Sequence, residues 1–501
     1  MKYIITLSIL MLTLLTLSAQ VSFEERIEFE QKDGFIGERF YQMGEYGVLV
    51  RSVSEKTDQG MDQWKYELFN TDLVSVWTEL VPVSAKLSLD EEYTTDESIH
   101  SLFKDRKGNY QLVTVNVADK ELTEIEGEVL NKTYITEMKV LGEYAYCEAY
   151  IKKEPFLFSV NCMTSKQRLI PISLEGIKTK KLSIKSIQVL EESNEVFVYL
   201  NVAVSKKQRE VYVVRLDDQG KKKSQYHLTQ DIDKNLTSLS ARSVGGGNYI
   251  FTGTYSDKGI STSQGLFFCR AYNGELDFIE FYNFTDLDNF LTYLPERKQK
   301  KLEKKKKRKN KKGKEFKIDY RIAEHEIQVL DDGYLVLGEA YYPTYRTETY
   351  TAYVNGNPVM RTRRVFDGYQ YTHAVLAKFD NDGKMEWDQT FEMFPASKPF
   401  YVKRFIATPE NIEDAITMVF ASGTRITSKT VNFDGVVVED KESEQMELEN
   451  ESAEIKWSNS NLSYWYDDYF LAYGFQKIKD KKADKRKDKR RKVYFMTKIK
   501  Y

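Results

Sequence analysis

Val329-Leu-Asp-Asp-Gly-Tyr-Leu-Val-Leu-Gly338, followed at a distance by Ala377-Lys-Phe-Asp-Asn-Asp-Gly-Lys-Met-Glu-Trp387, decides the fold. Each stretch is an apolar strand, an acidic turn closed by glycine, and a strand leading away. Asp-Gly and Asn-Gly pairs supply the positive backbone angles of tight hairpin turns. With Ala323–Leu330 ahead of the first turn and Lys384–Phe391 after the second, the segment reads as four consecutive antiparallel strands.

The same strand recurs along the chain. It appears at Tyr46–Val53, Gly108–Val115, Glu143–Tyr150, Glu195–Leu200, Gly247–Gly253, Gly333–Glu339, Asp414–Phe420 and Asp468–Gly474. Its turn returns at Asp217-Asp-Gln-Gly220, Asn273-Gly274 and Asp434-Gly435. Units of four antiparallel strands repeated every 40–50 residues describe a propeller blade. The wording of Val329–Gly338 and Ala377–Trp387 resembles secreted bacterial β-propellers of a degenerate, uncharacterised kind, a resemblance that implies a fold and no conserved site. The expectation is an all-β propeller of seven or eight four-stranded blades over residues 20–501. Two β-sandwich domains are the structural rival.

Composition agrees with a sheet protein. Aromatic residues make up 13% of the 501, with 34 Tyr and 28 Phe against 9 Pro, and aromatic side chains suit a pleated, half-buried surface. Lys2, the apolar run Ile4–Leu17 and Ser18-Ala19-Gln20 read as a signal peptide cleaved after residue 19. The rival, an uncleaved anchor, has a stretch short for a bilayer span. The signal predicts a periplasmic or cell-envelope location, and no later segment is apolar enough to be transmembrane. Cys147 and Cys162 fall on neighbouring strands, which leaves a disulfide or buried thiols open; Cys269 has no third partner.

Formal net charge is only −2, but it is a sum of opposites. Arg297–Lys314 carries thirteen Lys or Arg and one Glu; Lys477–Lys492 carries eleven against three Asp. Such blocks repel themselves, so both are expected to be extended. Numbering each blade's strands A to D from the axis outwards, alternation places B–C loops and D–A connections on one face. The first tract falls in a D–A connection and the second in a B–C loop, so both emerge there, within insertions at 294–316 and 477–492. A third insertion, 341–372, is a B–C hairpin turning at Asn355-Gly356.

Tyr and Arg are enriched at binding hot spots, and loops on a rigid scaffold are where binding usually resides. The candidate ligand-binding residues are therefore Tyr345, Arg346, Tyr350, Tyr353, Arg361, Arg363 and Arg364 of the hairpin, Lys305, Lys306 and Arg308 of the first tract, and Arg486, Arg490 and Arg491 of the second. Solvated loops and a hairpin packed on its own blade are the alternatives. The partner expected is an anionic envelope component or an acidic protein; export and the acidic remainder of the chain argue against nucleic acid. No catalytic, metal or cofactor motif stands out among the four His, and Asp380-Asn-Asp-Gly383 reads as a turn rather than a calcium loop. A carbohydrate-active hydrolase or lyase using an acidic axial pocket is the alternative function. Oligomeric state stays open.

Overall fold

The computed structural model describes residues 21–501 apart from 31–33, 273–274, 411, 413, 447, 449–452 and 483–489. The expected signal peptide at 1–19 and the expected turn at Asn273-Gly274 therefore lie outside the described residues. Eight antiparallel sheets follow one another along the chain, which resolves the blade count to eight. Blades 1 to 5 occupy Phe35–Ser84, Ser88–Glu128, Tyr134–Pro171, Leu182–His227 and Asn235–Asn283. Blade 6 occupies Arg321–Lys398 and blade 7 Ala415–Gln445. Blade 8 takes strands A to C from Ala453–Tyr466, Tyr469–Asp480 and Arg490–Lys500, and its D strand from the other end of the chain, Ser22–Glu30. That strand pairs antiparallel from Ser22 opposite Lys500 to Glu30 opposite Val493, so the two ends of the chain close the ring.

The apolar core is divided in the same way. Eight hydrophobic clusters lie between neighbouring blades, one for each junction, including Val48, Leu471 and Met496 where blade 8 meets blade 1. Two sandwich domains would instead pair sheets two by two; each sheet here contributes to a cluster on both of its faces. Each fully buried side chain such as Tyr199, Phe251 or Phe267 contributes about 1.5–3 kcal/mol.

The acidic turns hold one blade to the next. Asp380 Oδ1 accepts the Asp382 and Lys384 amides at 3.0 and 2.8 Å, which closes the C–D turn of blade 6. Gly383 in that turn has φ +80°, and an added Cβ would lie 2.6 Å from the Phe278 ring of blade 5. In blade 7, Gly435 (φ +81°) sits equally close under Trp387 of blade 6. The preceding blade also donates to each turn: Tyr282 to the Gly383 carbonyl at 2.7 Å, Trp387 to Phe433 at 2.9 Å, and Tyr146 to Asp218 at 2.5 Å. The repeated Asp-Gly wording thus encodes both a turn and a packing surface.

Blades 6 and 7 depart from four regular strands. The A strand of blade 6 is broken into Arg321–Glu324 and Gln328–Leu330, where His325 turns inward to Glu339 (Nε2 to Oε1, 2.7 Å). Blade 7 has three strands plus a bridge between Ala407 and Val419. Its inner segment is held by the buried Glu339 carboxylate, which accepts the Phe405 amide at 2.9 Å and the Ile406 amide at 2.8 Å. One side chain thus satisfies backbone donors that a ladder partner would otherwise take. The cysteines are three buried free thiols; Cys147 stands opposite Phe158, and Cys162 lies just beyond the strand end in the C–D turn.

Candidate functional site

First strands of neighbouring blades lie against one another around the ring, which places the A strands at the axis. Antiparallel alternation then puts the D–A connection from blade 5 to blade 6, the B–C hairpin of blade 6 and the B–C loop of blade 8 on one face.

The first connection begins with an aromatic plug. Phe284 and Phe290 stack at 4.3 Å, Tyr320 meets both edge-on, and Tyr293 stacks on His373 at 3.9 Å. Asp388 fastens the plug to blade 6 by accepting the Asp288 and Asn289 amides, each at 2.8 Å. Burial drives the His373 pKa down to about 3. The basic tract beyond the plug corrects the expectation of an extended loop: Glu296–Asn310 is an α-helix with ten Lys or Arg and two Glu. Glu296 in its first turn and Lys307, Arg308 and Lys309 in its last complement the helix dipole. A stripe of Gln299, Leu302, Lys306 and Lys309 is only partly exposed. Gln299 donates to the Leu294 carbonyl at 2.6 Å; Lys306 donates to the Thr285 carbonyl at 2.5 Å and pairs with Asp286 at 2.8 Å. Lys305 and Lys309 lie over the Phe316 ring at 5.3 and 5.5 Å. This narrow contact face lets a highly charged segment fold. Of the three residues singled out in the sequence, Lys306 is an anchor, Lys305 packs on an aromatic, and Arg308 is exposed.

The hairpin continues strands B and C of blade 6, pairing from Gly333 opposite Asp380 to Val354 opposite Asn357 with register shifts at Ala340/Tyr341 and Thr344/Tyr345. Its base is structural. Tyr341, Tyr369, Tyr371 and Tyr401 form a ring cluster with centroids 5.1–5.8 Å apart, and Tyr371 is buried. Beyond it the ribbon is exposed on both sides. Arg346 and Arg363 each reach Glu348 at 2.9 Å, and Arg346 also meets Asp367 at 3.3 Å. Arg364 lies over the Tyr345 ring at 4.2 Å and Arg363 over Tyr350 at 5.6 Å, so the arginines are partly ordered by their neighbours. Arg361 and Tyr353 are exposed.

The second tract is partly sheet. Lys477, Ile478 and Lys479 pair with Lys492, Arg491 and Arg490 across the ladder. Like charges opposite one another repel. Arg491 meets Glu28 at 3.1 Å and Lys477 lies over Trp457 at 5.4 Å, which offsets some of the repulsion. Arg490 is exposed; Arg486 lies outside the described residues.

The axis holds residues that sequence reading did not single out. A cavity of about 300 Å³ is lined by Glu137, Lys185, Ser238, Glu324, Lys403 and Arg404. Ser238 donates to Glu324 at 2.5 Å, and burial raises the Glu324 pKa to about 7. Glu91 is also raised to about 7, first by burial and then by Asp90 and Glu137. Burial lowers the Lys185 pKa while its ammonium donates to the Thr237 carbonyl at 2.6 Å. The lining of this cavity therefore interleaves acids with bases. Alternation within the A strands was the available signal, but one sequence does not say which alternate residues face an axis. Among the described residues no group of three or more His, Cys, Asp or Glu could hold a metal, and no helix is long and apolar enough to cross a membrane.

No known family profile matches the chain, and no curated protein matches it. Among solved structures, a fission yeast SCAP WD40 domain aligns with TM-score 0.42 and 8% identity over 96% of this chain and 98% of that one. The Vanderwaltozyma polyspora Nup133 β-propeller domain aligns with TM-score 0.39 and 10% identity, over 81% of this chain and 92% of that one. A prolyl endopeptidase aligns with TM-score 0.39 and 11% identity over 89% of this chain, which spans about half (54%) of the enzyme.

Proposed function

We propose that this is an exported binding or scaffolding protein of the cell envelope, whose basic, Tyr- and Arg-rich face contacts an anionic surface or an acidic partner. The observation that carries the reading is the cationic helix Glu296–Asn310, fixed to the ring by its inner stripe with its outer face left to solvent. Cations held on a rigid body attract an anionic surface over a Debye length, and the attraction weakens with salt. The hairpin and the second tract on the same face would add contacts, and lipopolysaccharide phosphates are a suitable target. The test is co-sedimentation of the chain from Gln20 onward with isolated envelope fractions across a salt series. A variant lacking residues 297–314 and 481–489 runs beside it. Salt-sensitive binding lost in the variant supports the reading; equal behaviour of the two proteins overturns it.

A second reading, a carbohydrate-active hydrolase or lyase, draws on Glu91 and Glu324, two axial carboxyls raised to about 7, where one group can give or take a proton. Glycan cleavage abolished by Glu324→Gln would establish it.

A further inference from the structure

The outer end of the blade 6 hairpin is unlike the rest of the basic face. Residues 351–360 (Thr-Ala-Tyr-Val-Asn-Gly-Asn-Pro-Val-Met) contain no charged side chain. Thr351 pairs with Met360 and Tyr353 with Pro358 on one side of the ribbon, and Ala352 with Val359 on the other. Both sides are bare: Tyr353 is 75% and Met360 67% exposed, and Val354 and Val359 are also open. Directly behind this end stand Arg346, Arg361, Arg363 and Arg364, against Glu348 and Asp367 alone. The molecule therefore extends an uncharged wedge with a cationic collar. Four cross-strand pairs make the wedge ~13 Å long.

We infer that residues 351–360 insert into the interfacial region of an anionic phospholipid membrane while the collar arginines engage lipid phosphates. The inference rests on the proposed binding role of this face and names its ligand. A bilayer surface presents its chemistry in the same order as the wedge, with apolar boundary inside and phosphate outside. Tyr is favoured at that boundary, and arginines can extend their heads to the phosphate level while their stems stay apolar. Binding of this kind combines buried apolar area with attraction to anionic lipid. An acidic protein surface fits less well, because it would set carboxylates against Tyr353 and Met360. The helix Glu296–Asn310 on the same face supplies long-range attraction, and the wedge supplies depth.

The test uses the chain from Gln20 onward with Met360→Cys labelled by an environment-sensitive fluorophore. Cys147, Cys162 and Cys269 are buried, and burial pushes all three thiol pKa values up, so the new cysteine is the reactive one. Vesicles of phosphatidylcholine with phosphatidylglycerol should blue-shift the label, and lipid-borne quenchers near the headgroups should quench it. Vesicles of phosphatidylcholine alone should do neither. Tyr353→Ser with Met360→Ser should weaken vesicle binding roughly tenfold to a hundredfold with an unchanged melting curve. Binding to anionic vesicles with an unshifted label would overturn insertion and leave the broader reading standing. Binding to an acidic protein but not to vesicles would overturn the lipid assignment alone. Failure to bind vesicles, heparin or acidic protein at low salt would overturn both.

Discussion

The two ends of the propeller are built on different rules. At one end the A–B and C–D turns are short, and C–D turns closed by Asp or Asn side chains, such as Asn70, Asp217, Asp380 and Asn432, serve as pins between blades; Gly383 under Phe278 and Gly435 under Trp387 leave no room for a larger residue. At the other end three connections depart from the blade and project cations and aromatics. Charge divides along the same line. Asp96-Glu97, Glu191-Glu192, Asp331-Asp332 and Asp467-Asp468 all lie at A–B turns, opposite the basic helix and hairpin. Glu191 shows the crowding, its pKa raised by burial and then by Asp96 and Glu192. A ring scaffold thus uses one end for closure and leaves the other free for elaboration.

Matched glycines test that division most severely. Gly435 and Gly356 both hold φ near +80°, but a Cβ at Gly435 meets Trp387 at 2.7 Å, whereas Gly356 at the hairpin turn has open space around it. Gly435→Ala should cost about 3 kcal/mol, the sum of a left-handed backbone penalty and overpacking. Gly356→Ala carries the backbone penalty alone, about 1 kcal/mol, confined to the ribbon. Denaturant unfolding of the two variants measures the difference. Equal losses would mean that the turns are not pins.

A smaller effect separates the plug from the ribbon it supports. His373 is buried against Tyr293 and Phe290, with Nε2 lacking a hydrogen-bond partner, and its pKa falls to about 3 from an ordinary 6.5. A histidine depressed by folding contributes stability that is fully present above pH 6.5 and is lost as pH falls toward 3, because the unfolded chain takes the proton first. Between pH 7 and 5 this amounts to about 2 kcal/mol. His373→Phe preserves the ring and removes the proton, so its stability should decline less over that interval than the wild-type value. Parallel pH profiles would show that His373 does not govern the plug.

The same contrast explains what the sequence made legible. Pins are written in local grammar: Asp380–Gly383 and Asp217–Gly220 announce a turn from four residues, and their recurrence announces the blade. The placement of 341–372 on a B–C loop followed from alternation alone. Tertiary satisfaction is not local. Glu339, His325 and the amides of Phe405 and Ile406 are spread over some eighty residues, and nothing in their spacing signals a clamp. The closing strand Ser22–Glu30 is amphipathic only in company with Arg490–Lys500, so ring closure was invisible from either end. The helix at Glu296–Asn310 was obscured by charge, because its contact stripe has one apolar member, Leu302.

The smallest expected change in stability tests that helix. Lys304, Lys307 and Arg308 lie on its exposed side, away from the stripe that Gln299, Leu302 and Lys306 press onto the ring. Replacing these three cations by Gln removes like-charge repulsion and no packing. Unfolding free energy should therefore stay within about 0.5 kcal/mol of the parent, as for surface changes generally. Binding to an anionic surface should respond in the opposite sense, with lower affinity at low salt and a shallower salt dependence, because fewer cations take part in the attraction. Calorimetric melting beside a salt series on a heparin column reads both quantities from one preparation. A loss of stability above ~1 kcal/mol with unchanged retention would make the helix a structural strap. Unchanged stability with weakened retention keeps its outer face for a partner, which is the division of labour the two ends of the ring display.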